Sequence, residues 1–172
     1  MIKVILCDDH AVVRRGIRDT ISEATDIQVV GEAGSYPELR EAMRKTECDV
    51  LVLDLNMPGR GGLEVLAALK EEGSTVKTLV VSMYPEDQYA IRCLRAGARG
   101  YLNKAGDPAE LVAAIRTVMQ GRKYVTAEVA QMLVDNLHAP ESEELHASLS
   151  ERELQTLQKI ASGKKLSDIA EE

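Results

Sequence analysis

The segment from Asp49 to Gly62 limits what this chain can fold into. Within it, Val50–Leu53 is an unbroken apolar run that is too short for a helix, and Pro58 with the glycines around it prevents any extension. Such a run is typical of a strand that is buried on both faces of a parallel sheet. Asp54 follows directly, so the sequence predicts a carboxylate at the end of a buried strand or, alternatively, an Asx-type turn.

Four further apolar runs alternate with segments of helical periodicity. The runs that we expect to be strands are Ile2–Cys7, Ile27–Val30, which Gly31 closes, Thr78–Val81 and the weaker Arg99–Leu102. Apolar residues at helical spacing follow every run, beginning at Val13, Leu39, Leu63, Ala90 and Leu111. Because each connection contains a helix and the runs are apolar throughout, the sequence predicts an α/β fold, a five-stranded parallel sheet with helices on both faces.

Two of the predicted helices begin with capping signals. Ser35 precedes Glu38 by three residues, and Asp107 precedes Glu110 by the same distance with Pro108 between them. This spacing is that of a capping box, in which each side chain bonds the other residue's backbone N–H.

The pattern changes after Gly121, and we divide the chain into three regions. Residues 1–121 form the α/β domain, and residues 122–148 form a linker with one amphipathic helix over Thr126–Leu137. The rest of that linker is polar and acidic. Residues 149–172 begin an all-α domain, in which Ser150 and Glu153 have capping-box spacing.

Polar residues stand at the end of four of the predicted strands: Asp8 with Asp9, Asp54, Ser82 and Lys104. The carboxyl ends of parallel strands share one edge, where ligands bind in such sheets. Three carboxylates there would repel one another without a cation, and oxygen ligands suit Mg²⁺. A carboxylate can attack phosphorus, with Mg²⁺ and a lysine neutralising the transferred group. The alternative takes Asp9 and Ser82 as helix caps and Lys104 as a surface lysine.

Residues 1–121 resemble a response-regulator receiver domain. The resemblance rests on Asp8-Asp9-His10, on Leu53–Gly59, on Ser82 and on Gly97–Lys104. It implies the strand order 2-1-3-4-5, Asp54 as the phosphoacceptor and Lys104 as a contact of the phosphoryl oxygens.

The same resemblance implies a magnesium site and a switch. Asp9, Asp54 and the backbone carbonyl of Asn56 would hold Mg²⁺, with Asp8 acting through water. Ser82 would hydrogen-bond the phosphoryl group, and Tyr101 would turn inward on activation. Ala105 departs from the pattern, because many receivers have a proline with a cis bond there.

Residues 149–172 resemble the start of a LuxR-type helix-turn-helix of the NarL/FixJ subfamily, through Leu149–Glu153 and Gly163 followed by Ile169-Ala170. The resemblance implies a sensor histidine kinase as partner, a homodimer, and DNA binding that regulates transcription. The recognition helix is not in this sequence, so we expect the full-length protein, but not this chain, to bind DNA. Catalysis would be limited to its own phosphorylation and dephosphorylation.

Other classes of protein are open at this stage. A phosphatase of the haloacid dehalogenase type shares the sheet and the nucleophile, but it needs an aspartate where His10 or Asn56 stands. A flavin carrier needs a Ser/Thr/Gly-rich loop after the first strand. A stand-alone receiver, which signals only through protein contacts, leaves residues 149–172 unexplained.

Composition limits the location and the partners of the chain. No apolar run approaches the length of a membrane span, and Met1 leads into a strand rather than a signal peptide. Cys7, Cys48 and Cys93 have no metal or disulfide spacing, so we expect reduced thiols in the cytoplasm. The three histidines also lack metal spacing, and we expect His10 to have a surface or hinge role. The net charge of −7 argues against nucleic-acid binding by this chain.

Overall fold

The computed structural model describes residues 1–137 together with the helical residues Glu153 and Gln155. The strands are β1 (Ile2–Cys7), β2 (Ile27–Ala33), β3 (Val50–Leu53), β4 (Lys77–Ser82) and β5 (Gly100–Asn103). The helices are α1 (Ala11–Ser22), α2 (Tyr36–Lys45), α3 (Gly62–Glu71), α4 (Glu86–Ala96), α5 (Pro108–Met119) and α6 (Ala127–Leu137). Apart from Glu153 and Gln155, the predicted linker residues 138–148 and helix-turn-helix segment 149–172 lie outside the described residues.

The sheet confirms the predicted topology. All five strands are parallel and lie in the order β2-β1-β3-β4-β5. Cys7 pairs with Leu53, and Ser82 pairs with Asn103, so neighbouring strands end side by side. The residues that follow them therefore emerge at one edge of the sheet, which we call the carboxyl edge.

Helices cover both faces of the sheet, which explains why the strand sequences are apolar throughout. On one face, alternate strand residues pack against Ile21 of α1 and Ile115 and Val118 of α5; they include Val4, Leu6, Val52, Val81 and Leu102. On the other face α2, α3 and α4 bury Leu39, Leu66 and Leu94. Each such aliphatic side chain contributes about 1.5–3 kcal/mol of burial free energy.

Strand β2 differs from its prediction because it continues past Gly31 to Ala33. The pairing with β1 shifts by one residue, since Val4 pairs with Val29 whereas Ile5 pairs with Gly31. A Cβ atom on Gly31 would lie 3.3 Å from Cγ1 of Ile5. This glycine therefore accommodates a bulge inside the strand and does not end it.

The helix starts correct several details of the prediction. Ser35 is the N-cap of α2 without a side-chain bond, and Glu38 accepts from the N–H of Gly34 at 2.7 Å, not from Ser35. Asp107 caps α5 as predicted, accepting from Ala109 at 2.9 Å. The N-cap residues of α1 and α4 are His10 and Pro85, so Asp9 and Ser82 are not caps.

Helix α6 agrees with the amphipathic helix that the sequence predicts for the linker region. The first structural unit extends to Val134 and so contains most of α6. Within the described part of the chain, no helix has the length and apolar character that crossing a bilayer requires.

Candidate functional site

Two buried aspartates lie next to each other at the carboxyl edge. The N–H of Asp54 donates to the carbonyl of Cys7 at 2.8 Å, which fixes the end of β3 beside the end of β1. The N–H of Asp8 donates to the carbonyl of Ala33 on β2 at 3.0 Å. Both aspartates are only 3% exposed. Strand pairing alone therefore brings together two carboxylates that are 46 positions apart in the sequence.

Lys104 joins these carboxylates from the far side of the sheet. It follows β5, and its N–H donates to the carbonyl of Ser82 at 2.9 Å. Its Nζ lies 2.7 Å from Oδ2 of Asp8 and 2.9 Å from Oδ2 of Asp54. The Lys104 side chain is only 7% exposed, so the alternative of a solvated surface lysine is wrong.

The environment shifts the pKa values of Asp54 and Lys104. Burial raises the pKa of Asp54, while the adjacent Lys104 and a hydrogen bond from the backbone of Asn56 act against that rise. Burial would lower the pKa of Lys104, but hydrogen bonds to Asp8 and Asp54 prevail and raise it. Lys104 is therefore a cation at neutral pH and holds two buried carboxylates together.

The acidic cluster fits a small divalent cation. Ligand atoms of Asp8, Asp9, His10 and Asp54 all lie within 4.8 Å of one another. In an octahedron with bonds of about 2.1 Å, opposite oxygens are about 4.2 Å apart, so a small closure brings these carboxylates to magnesium distances. Three carboxylates are the oxygen donors that Mg²⁺ prefers. Asn56, the other predicted ligand, lies two residues beyond Asp54 in the same loop.

His10 is a surface residue, as expected, and its side chain, 56% exposed, also lies at the rim of the acidic cluster. Its Nδ1 is 2.8 Å from Oδ1 of Asp9, 3.3 Å from Oδ1 of Asp8 and 4.0 Å from Oδ2 of Asp54. Its backbone N–H also donates to Oδ1 of Asp8 at 2.8 Å. Spacing between histidines could not reveal this, because the partners are aspartates. Adjacency to Asp8-Asp9 was the one available signal.

The two predicted switch residues meet at Tyr84. The Oγ of Ser82 accepts a hydrogen bond from the N–H of Tyr84 at 3.2 Å. The hydroxyl of Tyr101 donates to the carbonyl of Tyr84 at 2.8 Å. Tyr101 is 1% exposed, so its ring already lies inward in this structure, the position that the resemblance implied only for activation. Burial raises its pKa, against which a hydrogen bond with Ser82 acts. The ring of Tyr84 stacks on Tyr89 of α4 with centroids 4.7 Å apart.

Comparison with known proteins agrees with this arrangement. A family model described as the response regulator receiver domain matches residues 4–116. This chain belongs to that family. The response regulator UvrY of Escherichia coli K12 is 38% identical to it over 173 residues, which cover all of this chain and 79% of UvrY.

Solved structures extend the likeness of this response regulator. A LuxR-family two-component response regulator from Aurantimonas sp. has a TM-score of 0.72 and 34% identity, covering 80% of this chain and 98% of that one. RcsB from Salmonella enterica serovar Typhimurium, bound to a promoter with the phosphomimetic BeF₃⁻, has a TM-score of 0.71 and 26% identity. That match covers 99% of this chain and 82% of RcsB.

The family membership decides between the classes that the sequence left open. The chain is a two-component response regulator of the kind that controls transcription, and it is not a classical enzyme. The phosphatase and the flavin carrier therefore lose their support.

Proposed function

We propose that Asp54 accepts a phosphoryl group from a sensor histidine kinase or a small phosphodonor, and that this modification controls dimerisation and DNA binding. The observation that carries the proposal is the contact of Lys104 with both Asp54 and Asp8 inside a buried pocket. A structural ion pair has no need of a second buried carboxylate, because one lysine cannot neutralise two. The surplus negative charge instead suits a site that takes up a cation together with a phosphoryl group.

Asp54 is the nucleophile of the proposed reaction. One of its carboxylate oxygens forms a bond to phosphorus, the bond from phosphorus to the donor atom breaks, and an acyl phosphate results. The ammonium of Lys104 is 2.9 Å from that carboxylate and is in position to turn to the phosphoryl oxygens. Its positive charge stabilises the negative charge on the transferred group. Hydrolysis of the acyl phosphate by water later restores Asp54.

Asp9, Asp54 and the backbone carbonyl of Asn56 would hold Mg²⁺ directly, and Asp8 would do so through water. When bound, this ion would supply the positive charge that the pocket lacks. Asp8 also orients Lys104 through the 2.7 Å contact with its Nζ. The donor set, which is all carboxylate and carbonyl oxygen, carries this assignment.

The response to phosphorylation begins at Ser82. In the unmodified protein its hydroxyl accepts from the N–H of Tyr84. A phosphoryl group on Asp54 offers that hydroxyl a stronger, charged acceptor, so Ser82 reorients towards it. Tyr84 and Tyr101 then rearrange together, because the Tyr101 hydroxyl bonds the Tyr84 carbonyl. The surface between α4 and β5 changes in consequence.

The biological roles follow from this switch. Residues 1–121 are the receiver, residues 122–148 the linker, and residues 149–172 the first part of a helix-turn-helix domain. In the cytoplasm, where kinases and DNA are available, the phosphorylated full-length protein forms a homodimer that binds paired DNA half-sites.

Intact-mass spectrometry after incubation with acetyl phosphate and Mg²⁺ tests the central step. Wild-type protein should gain about 80 mass units, the mass of one phosphoryl group. Asp54→Ala should gain nothing, because the nucleophile is absent. Asp49→Ala is the matched control, because Asp49 precedes the same strand, β3, at its other end, and it should be modified like wild type. No adduct on wild type, or an adduct on Asp54→Ala, would remove Asp54 from this role.

A further inference from the structure

The linker segment before α6 adds to the sheet beside β5. Tyr124 forms a parallel bridge with Gly100. Its N–H donates to the carbonyl of Arg99 at 2.9 Å, and its carbonyl accepts from the N–H of Tyr101 at 3.3 Å. A Cβ atom on Gly100 would lie 2.9 Å from that carbonyl oxygen. The glycine thus leaves space for the linker directly beside the buried Tyr101.

The first turn of α6 is anchored to the first turn of α4. The Oγ1 of Thr126 donates to Oε2 of Glu86 at 2.7 Å and accepts from the N–H of Val129 at 3.3 Å. Thr126 therefore caps α6 and also joins it to a residue 40 positions earlier in the chain. A cap needs only the bond from Val129. The second bond fixes where the helix begins relative to α4, and Val129 is 1% exposed there.

Glu86 is the first residue of α4 and directly follows loop 83–85, which is hydrogen-bonded to the switch residues Ser82 and Tyr101. Tyr84 lies midway between Ser82 and Glu86, and it bonds Ser82 through its N–H and Tyr101 through its carbonyl. The ring of Tyr84 also stacks on Tyr89 of α4, whereas the side chain of Met83 is 66% exposed and Pro85 is also exposed. Tyr84 therefore joins Ser82 and Tyr101 to α4, so a shift of Tyr84 moves the start of that helix.

We propose that these contacts form a relay from Ser82 through Tyr84 and Glu86 to Thr126, which couples the phosphorylation site to the anchorage of α6. The relay rests on the proposed function for its input, because the Ser82 side chain that turns to donate to phosphorylated Asp54 carries its Oγ away from the N–H of Tyr84. Once Tyr84 loses that acceptor, the loop shifts and carries Glu86 away from Thr126. The start of the linker helix is then loosened, and the signal reaches the segment that leads to the rest of the chain.

Hydrogen exchange of the Val129 amide tests the relay without any phosphorylation. Ser82→Ala removes the first acceptor and should speed exchange at Val129 about fivefold, the effect that one lost hydrogen bond supports. Ser74→Ala is the matched control, because Ser74 Oγ accepts from the N–H of Val76 with the same two-residue spacing. Equal Val129 exchange in Ser82→Ala and in wild type would overturn the relay.

Reciprocity gives a second measurement, since coupling between two sites acts equally in both directions. Thr126→Val removes the bond to Glu86 and frees the loop, so the affinity for beryllofluoride with Mg²⁺ should rise about fivefold. Thr117→Val is the control, because the Thr117 hydroxyl bonds the carbonyl of Ala113 in its own helix and, among the described residues, makes no bond to another element. Unchanged affinity in Thr126→Val would contradict the relay.

The two measurements separate the relay from the proposed function. If wild-type protein does not bind beryllofluoride at Asp54, the proposed function fails, and the exchange rates of Ser82→Ala alone decide the relay. If wild type binds it but Val129 exchanges at the same rate in every variant, the relay fails while Asp54 keeps its role.

Discussion

The two edges of the sheet hold their aspartates in opposite ways. At the edge where the strands begin, which we call the amino edge, Asp26 precedes β2. It receives two hydrogen bonds from Arg116, at 2.9 and 2.7 Å, on an exposed surface. At the carboxyl edge, Asp8 and Asp54 are buried and share the single ammonium of Lys104. Arg116 lowers the pKa of Asp26, whereas burial raises that of Asp54.

The difference shows where the fold gives up stability for reactivity. A carboxylate that is matched by its own arginine in water contributes to folding and leaves no charge for a ligand. Two carboxylates that share one lysine away from water oppose folding and leave negative charge for a cation and a phosphoryl group. The same strands carry both kinds of site, and the edge at which a residue lies decides its role.

Lys104→Met should have the largest effect, because it leaves Asp8 and Asp54 buried without a cation. Removing one partner of a buried ion pair lowers the free energy of unfolding by about 3–5 kcal/mol. Urea unfolding at neutral pH without divalent cations measures this loss. Added Mg²⁺ should restore part of it.

Arg116→Met removes the cation of the amino edge and is the control for Lys104→Met. The Asp26 carboxylate that it leaves unpaired is solvated, so the loss should be clearly smaller. Equal losses in the two variants would show that the edges do not differ in this way.

Gly62→Ala should have the next largest effect. A Cβ atom on Gly62 would lie 2.6 Å from the carbonyl oxygen of Asp54 and 2.7 Å from Cα of Leu55, so the backbone of the site must move. Such overpacking lowers the free energy of unfolding by about 3 kcal/mol. The melting temperature and the affinity for Mg²⁺ should both fall.

Gly73→Ala is its counterpart in the loop before β4. Gly73 has φ of +66°, but no atom lies within 4 Å of its added Cβ, so only backbone strain of about 1 kcal/mol opposes the change. Mg²⁺ affinity should not change. If Gly73→Ala weakens Mg²⁺ binding as much as Gly62→Ala does, the close packing of Gly62 against the backbone of Asp54 is not the cause of the weaker binding.

The ends of β1 and β3 were predictable from the sequence, whereas contacts between distant side chains were not. Val50–Leu53 and the other apolar runs predict parallel strands, and parallel strands place Asp8 and Asp54 at one edge. The contact of His10 with Asp9 and the bond from Thr126 to Glu86 depend on tertiary packing. The spacing of residues in the sequence does not reveal such contacts. It also led to the wrong prediction that Gly31 ends β2, whereas Gly31 lies inside the strand and its small size leaves room for Ile5 of β1.

Asp54→Asn should stabilise the protein by about 1 kcal/mol at neutral pH, because it removes a buried charge. The pKa of Asp54 is raised above 3.8, so the unfolded chain ionises first and stability falls as pH rises through this interval. The gain in Asp54→Asn should therefore grow as pH rises above the unfolded pKa and vanish below about pH 4. Urea unfolding across this range measures it, and a loss of stability at neutral pH would contradict the interpretation.

Asp26→Asn should show the smallest change and the opposite sign. The pKa of Asp26 is lowered below 3.8, mainly by the hydrogen bonds from Arg116, so the folded protein favours its ionised form. Its contribution to stability is present above the unfolded pKa and is lost as pH falls through the folded pKa. The variant should therefore be slightly less stable than wild type at neutral pH and equal to it in strong acid. Opposite pH profiles for Asp26→Asn and Asp54→Asn would establish that the edges use the same side chain in opposite ways, whereas parallel profiles would remove that distinction.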